Sequence, residues 1–227
     1  MRLRSGGGPR LEQLGARARA LEAADLRAVV FDLNGVLTRP PSRLGRRRLL
    51  RVAGVDAATF ERLYWRHRPS YDRGEVDSAG YWRRIGRDAG RCYDDARVRA
   101  LVNADAASWA RPNRPMVDAL LSLGAAGVRT AILSNTPREI WAHVSATHSW
   151  VRAPDVLALS FELGMSKPDP ALFRICLERL CAAPAETLLV DDRDENVEIA
   201  CTLGIRAVRY RSERFKGRRP SRRVIAA

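Results

Sequence analysis

Lysine is almost missing from this chain of 227 residues: only Lys167 and Lys216 occur among 40 basic side chains. The formal charge of +14 is therefore nearly all arginine, a compositional bias before it is a binding signal. Arginines crowd both ends of the chain, where a solvated tail at 213–227 is the simplest reading, and no nucleic-acid partner is expected. Histidine is equally scarce, and His67, His143 and His148 share no ligand spacing with the four cysteines, which disfavours a zinc site. Cys92, Cys176, Cys181 and Cys201 form no CxxC pair, so free, buried thiols are expected rather than a disulfide framework. No apolar run reaches the length of a membrane-spanning helix, so no membrane partner is expected. The first residues are basic without the apolar stretch of a secretory signal, and a cytoplasmic location is the expectation.

What is present is an alternation of short β-branched runs with helical periods. Residues 9–24 read as a helix rich in Leu, Ala and Arg within an N-terminal extension covering 1–26. A first strand is expected over 27–32, and Pro40-Pro41 then interrupts the chain. Residues 42–110 carry four apolar sets at helical spacing and no convincing strand, with Asp56 and Asp77 placed as N-caps. After Pro112 the alternation resumes, with strands expected at 128–133, 156–160, 187–190 and 205–210. Helices are expected at 116–123, 137–147, 170–180 and 196–203. Strands separated by helices imply a doubly wound, Rossmann-like parallel α/β sheet with right-handed crossovers. The expected core is 27–41 plus 111–212, with 42–110 inserted as a helical domain.

Ligands in such sheets sit outside the carboxyl ends of the strands. Four of the expected strands end in polar chemistry. Asp32 follows Ala28-Val29-Val30-Phe31, and a tight Asn34-Gly35 turn comes next. Ser134 and Asn135 follow the second strand, where a hydroxyl and helix-terminal amides suit a phosphate oxygen. Lys167 lies between a strand and a helix in a chain that uses almost no lysine. Asp191-Asp192 end the fourth strand as a carboxylate pair that hard cations favour. Each alone could be a cap or a surface residue; the four together, in this order, point to a phosphate and metal site.

With these residues in view, the chain resembles the haloacid dehalogenase-like (HAD) hydrolase superfamily over about residues 27–210. Phe31-Asp32-Leu33-Asn34-Gly35-Val36-Leu37 resembles its first motif and Ile132-Leu133-Ser134-Asn135-Thr136 its second. Leu163-Gly164-Met165-Ser166-Lys167-Pro168-Asp169-Pro170 resembles the third, and Val190-Asp191-Asp192 through Asn196 the fourth. The wording is similar to a sugar-phosphatase-like branch with a C1 cap, and to the N-terminal phosphatase domain of soluble epoxide hydrolases. Tyr71-Asp72-Arg73-Gly74-Glu75-Val76 looks like the cap turn of that branch.

The resemblance implies an Mg2+-dependent phosphohydrolase acting on a small phosphate monoester, sugar phosphate-like, through an aspartyl-phosphate at Asp32. It implies Mg2+ held by Asp32, the backbone carbonyl of Asn34, Asp192 and, as a further ligand, Asp191. Ser134, Asn135 and Lys167 would hold the phosphoryl group. One feature departs from the pattern: where the family carries a second Asp as acid and base, this chain has Asn34, and an amide exchanges no proton near neutral pH. A 2-haloacid dehalogenase, a phosphotransferase, or a catalytically impaired protein with a binding role remain as alternatives. Within the expected cap, Arg66, Arg68 and Tyr71 are the residues expected to face the substrate, alongside Trp65 and His67. Arginines there would suit a second anionic group on it.

Overall fold

A short, wholly apolar strand lies at the centre of the structure, a computed structural model that describes residues 26–211. The helix expected over 9–24 and the basic tail at 213–227 fall outside the described residues. Strand β1 (Ala28–Phe31) pairs in parallel with β2 (Arg129–Ser134) on one side and β4 (Thr187–Asp191) on the other. With β3 (Val156–Leu159) and β5 (Arg206–Arg209) at the edges, the parallel sheet runs β3-β2-β1-β4-β5. Continuous apolar runs such as Ala28-Val29-Val30-Phe31 suit this setting because both faces of a central parallel strand are covered. Successive side chains point to opposite faces. Thus Val29 and Phe31 join one cluster with α5 (Arg114–Ala125) and α6 (Arg138–Thr147). Ala28 and Val30 join the other with α8 (Pro170–Leu180) and Ala200 of α9 (Asp194–Thr202).

The residues after β1 form a separate helical layer: α1 (Arg43–Ala53), α2 (Ala57–Asp72), α3 (Ser78–Asp88) and α4 (Asp95–Trp109). Asp56 accepts from the Ala58 and Thr59 amides and Asp77 from the Gly80 amide, so both act as N-caps, as their positions suggest. The layer has its own core around Phe60, Leu63, Tyr81, Trp82, Ile85 and Leu101. Such side chains contribute about 1.5–3 kcal/mol each when fully buried. It meets the sheet-bearing core through α4, which packs on α6 and adds Ala106 to the sheet-side core, and through the end of α2. The Tyr71 hydroxyl donates to Glu139 of α6 at 2.8 Å, and Ser160 donates to the Asp72 carbonyl. Gly74 sits at φ +71°, with its missing Cβ position 2.9 Å from the Phe161 carbonyl oxygen, so a side chain would push the junction apart.

Two details differ from the sequence reading. Ser160 does not end β3 but opens a one-turn helix, α7 (Ser160–Leu163), closed by Gly164 in the left-handed region. Of the four cysteines only Cys176 is buried; Cys92, Cys181 and Cys201 are exposed free thiols. No helix of the described residues is long and apolar enough to cross a membrane.

Candidate active site

Asp32 is placed by the first residue beyond β1: its amide donates to the Val190 carbonyl at 2.9 Å, continuing the β1–β4 ladder by one step. The chain then folds back within seven residues. Gly35 N donates to Thr38 O at 2.9 Å and Thr38 N to Leu33 O at 2.7 Å, which fixes the Asp32–Thr38 loop. Gly35 adopts φ +109°, and a Cβ there would lie 2.3 Å from Asp192 Oδ2. Glycine is therefore required both for the turn and for the approach of the Asp192 carboxylate.

Around this loop the strand ends converge. Lys167, buried, donates from Nζ to Asp32 Oδ1 at 2.8 Å and to Asp191 Oδ2 at 2.6 Å. Asp191 Oδ1 accepts from Asn196 Nδ2 and the Arg193 amide, both at 2.9 Å. Both of its oxygens are thus engaged, and it fixes the lysine. Asn135 clamps the lysine backbone from the other side: its Nδ2 donates to Lys167 O and its Oδ1 accepts from Lys167 N, each at 2.8 Å. Ser134 is fully buried at the end of β2, and its hydroxyl finds no partner among the described residues. Thr130 and Thr136 carry unpartnered buried hydroxyls as well, so Ser134 is distinguished by its place at the end of β2 beside Asn135.

The electrostatics are those of a site short of positive charge. Asp32, Asp191 and Asp192 bring carboxylate oxygens within 4.8 Å of one another. Three carboxylates against the single ammonium of Lys167 leave two negative charges. Burial, reinforced by Asp191 and Asp192, outweighs Lys167 and pushes the Asp32 carboxyl up to about 7. Burial and Asp191 likewise raise Asp192. Burial works against the charge on Lys167, but Asp191 and Asp32 outweigh it and hold the ammonium above its ordinary range. A divalent cation would offset the remaining charge. The donors are all hard oxygens, and those not used elsewhere among the described residues are Asp32 Oδ2, the Asp192 carboxylate and the Asn34 carbonyl. The residues present fit Mg2+.

Asn34 presents its side chain to the same place. Its Nδ2 donates to the Asn135 carbonyl at 3.2 Å, and Oδ1 lies 3.5 Å from Thr38 Oγ1. Asp32, Asn34, Asn135, Lys167 and Asp192 line a cavity of about 390 Å³ whose opposite wall is helical: Trp65, Arg68, Asp72 and Trp109. Ser134 is not part of that wall.

Of the five residues expected to face the substrate from the helical layer, the structure brings Trp65 and Arg68 to the cavity. Arg66 is exposed and Tyr71 is buried against Tyr81, with ring centroids 4.3 Å apart, and neither lines it. Residues two apart on a helix diverge by about 200°, so Arg66 and Arg68 cannot share a face. Tyr71 is turned to Glu139, and His67 pairs with Asp88 at 2.8 Å. Nor is Arg68 a free cation. It pairs with Asp72 at 2.6 Å and Asp105 at 3.6 Å and donates to the Tyr64 hydroxyl. Asp72 and Asp105 were missed by sequence reasoning. The available signal was the i, i+4 spacing of Arg68 and Asp72 on one helix; Asp105 gave none, since it arrives from α4.

Comparison with known proteins agrees with this geometry. A family model described as haloacid dehalogenase-like hydrolase matches residues 26–200. The chain is 28% identical over 207 residues to bifunctional epoxide hydrolase 2 of Sus scrofa, covering 82% of this chain but only 36% of that protein's length. It is 25% identical over 182 residues to the sesquiterpene phosphatase astK of Aspergillus oryzae, covering 79% of this chain and 87% of the fungal one. Among solved structures, a HAD family enzyme of Bacteroides thetaiotaomicron in complex with magnesium and inorganic phosphate superimposes with a TM-score of 0.68. It is 21% identical, with 85% of this chain and 98% of that one covered. With the motif residues gathered at the strand ends and the family match spanning most of its length, the chain belongs to the haloacid dehalogenase-like hydrolases.

Proposed function

We propose that this chain is an Mg2+-dependent phosphohydrolase that cleaves a small phosphate monoester through an aspartyl-phosphate on Asp32. The observation that carries the reading is the Asp32–Lys167–Asp191 chain of buried ion pairs, beside Asp192, at the floor of one cavity. One carboxylate oxygen of Asp32 attacks phosphorus and the ester oxygen departs with its bonding pair, while Lys167, held by Asp191, pairs with the carboxylate and keeps it aimed. Lys167, the Ser134 hydroxyl and the Asn135 region stabilise charge on the transferring phosphoryl oxygens. Mg2+, when bound, would supply further neutralisation of that charge, held by Asp32, Asp192 and the Asn34 carbonyl with Asp191 behind them. The helical layer serves as a cap that excludes water from the cavity.

Asn34 changes what the site does well. Its amide can orient the leaving oxygen but cannot protonate it, nor later activate the water that releases phosphate. Esters whose leaving group needs little protonation are therefore the favoured substrates, and the phosphorylated form of Asp32 is long-lived.

The test is a panel of phosphate esters assayed with Mg2+ on wild type, Asp32→Asn and Asn34→Asp. Loss in the first variant and gain in the second support the proposal; activity that survives Asp32→Asn removes the nucleophile. Metal-independent halide release from 2-haloacids would select a dehalogenase instead.

A further inference from the structure

A second chamber of about 210 Å³ adjoins the cavity above Asp32, and the two share Pro40, Trp65 and Trp109 as walls. Its remaining apolar surface comes from Pro41, Leu49 and Phe60. The polar groups at its edge are already engaged. Tyr64 donates to Asp105 at 2.9 Å and accepts from Trp109 Nε1 at 3.0 Å. Trp65 Nε1 donates to Glu61 at 2.8 Å, and Glu61 also pairs with Arg46. Asp105 faces Arg68, whose own charge is matched by Asp72 and Asp105. The chamber thus offers an incoming group mainly apolar contact, with the Arg46 guanidinium, held at its edge by Glu61, as the polar group that keeps donors to spare. Trp65, 46% exposed, stands where the two spaces meet. A large exposed side chain is ordinary by itself; one that walls both the reaction cavity and an apolar chamber is not.

We propose that this chamber is the subsite for the alcohol portion of the substrate, and that this portion is an apolar alkyl or aryl group. The proposal rests on the phosphohydrolase reading and narrows it: the phosphoryl group sits at Asp32 and the organic group extends past Trp65 and Trp109. A polyol fits poorly, because each hydroxyl left unpaired against this wall weakens binding roughly 2- to 30-fold. A second phosphate or carboxylate finds no unpaired arginine in either wall: two carboxylates face Arg68, Glu61 pairs with Arg46 and Glu195 with Arg193. Each methylene that enters the chamber strengthens binding by about fourfold at full burial.

The test uses the full chain with Mg2+ and two matched series from ethyl to octyl: n-alkyl phosphates for turnover and non-hydrolysable n-alkylphosphonates for binding by calorimetry. In wild type, phosphonate affinity and kcat/KM both rise with chain length, and glucose 6-phosphate falls below butyl phosphate. The octyl-to-ethyl ratio collapses in Trp65→Ala, which opens the shared wall, and in Leu49→Phe, which fills the chamber. Ratios within each variant are compared, so a general loss of activity does not mimic the effect. Wild-type affinity independent of chain length, or tighter binding of the sugar phosphate, overturns the proposal, whatever the variants do. If phosphonates bind with the expected chain-length dependence but no ester is turned over, 4-alkylphenyl phosphates with their better leaving group included, the subsite stands and the phosphohydrolase reading falls.

Discussion

Replacing Asn34 by Asp is the most informative single change, because its gain and its cost act on different observables. The gain is a proton donor at the position from which the Asn34 amide faces the cavity. General acid–base assistance contributes about 10²–10⁴-fold, or about 3–5 kcal/mol of barrier. The cost is the hydrogen bond from Asn34 Nδ2 to Asn135 O at 3.2 Å, a net of about 0.5–1.5 kcal/mol, plus a carboxylate turned toward a carbonyl. The Thr38 hydroxyl, 3.5 Å from Oδ1, is too far to compensate without moving. Stability should therefore fall slightly while turnover of demanding esters rises. Steady-state kinetics with an alkyl phosphate, whose leaving alkoxide needs a proton, and an aryl phosphate, whose phenolate does not, separates the two. For cleavage of the ester bond, the gain is expected on the alkyl ester and nearly absent on the aryl one, and in the pH profile of kcat/KM it is lost as pH rises and the introduced carboxyl ionises. A folded, Mg2+-binding Asn34→Asp protein with no gain on the alkyl ester, or an equal gain on both, would refute the reasoning.

Other outcomes follow from the same structure. Gly35→Ala forces a Cβ to within 2.3 Å of Asp192 Oδ2 at φ +109°, so Mg2+ binding measured by calorimetry should weaken at least tenfold even where the protein stays folded. Arg68→Ala strands Asp72 and Asp105 without their cation, and urea unfolding should register a loss of about 3–5 kcal/mol. Asp32 carries a folded-state carboxyl pushed up to about 7, above its value in an unfolded chain. In metal-free protein its ionisation should therefore erode stability as pH rises from about 4 to 7 and add no further loss above that window. Asp32→Asn should remove that part of the slope in a denaturant series run across pH. Burial pushes the Cys176 thiol up to about 12, while Cys92, Cys181 and Cys201 are exposed. A thiol reagent should titrate three cysteines in the native protein and the fourth only after unfolding.

The sheet and its strand-end chemistry were legible in the sequence because both are local. A four-residue apolar run such as Ala28-Val29-Val30-Phe31, short, β-branched and followed by turn residues, reads as a strand buried on both faces, and the polar residue after it then emerges at the ligand-binding edge. The helical wall was legible only in part, Trp65 and Arg68 but not Asp72 and Trp109, for the opposite reason. Whether Arg66 or Arg68 faces the cavity depends on the rotation of α2, and whether Arg68 is free depends on Asp105, thirty-seven positions away on α4. The expected docking site for a second anion disappears once that pairing is seen. Tyr71 illustrates a related limit: its place within the expected cap suggested substrate contact, while its hydroxyl ties α2 to Glu139 of α6. The apolar chamber likewise depends on α1, α2 and α4 packing together around Pro40 and Pro41, residues that read in sequence only as a linker.

The central claim is that Asp32 is the nucleophile of a site lacking its proton-transfer partner. The most direct measurement is an acid-quenched reaction of the Mg2+-loaded protein with a phosphate-labelled aryl ester, followed by peptide mapping. Because Asn34 cannot activate water, the label should accumulate close to one per chain on the peptide containing Asp32 and be absent in Asp32→Asn. Label on another residue, or undiminished ester hydrolysis by Asp32→Asn, would contradict the account.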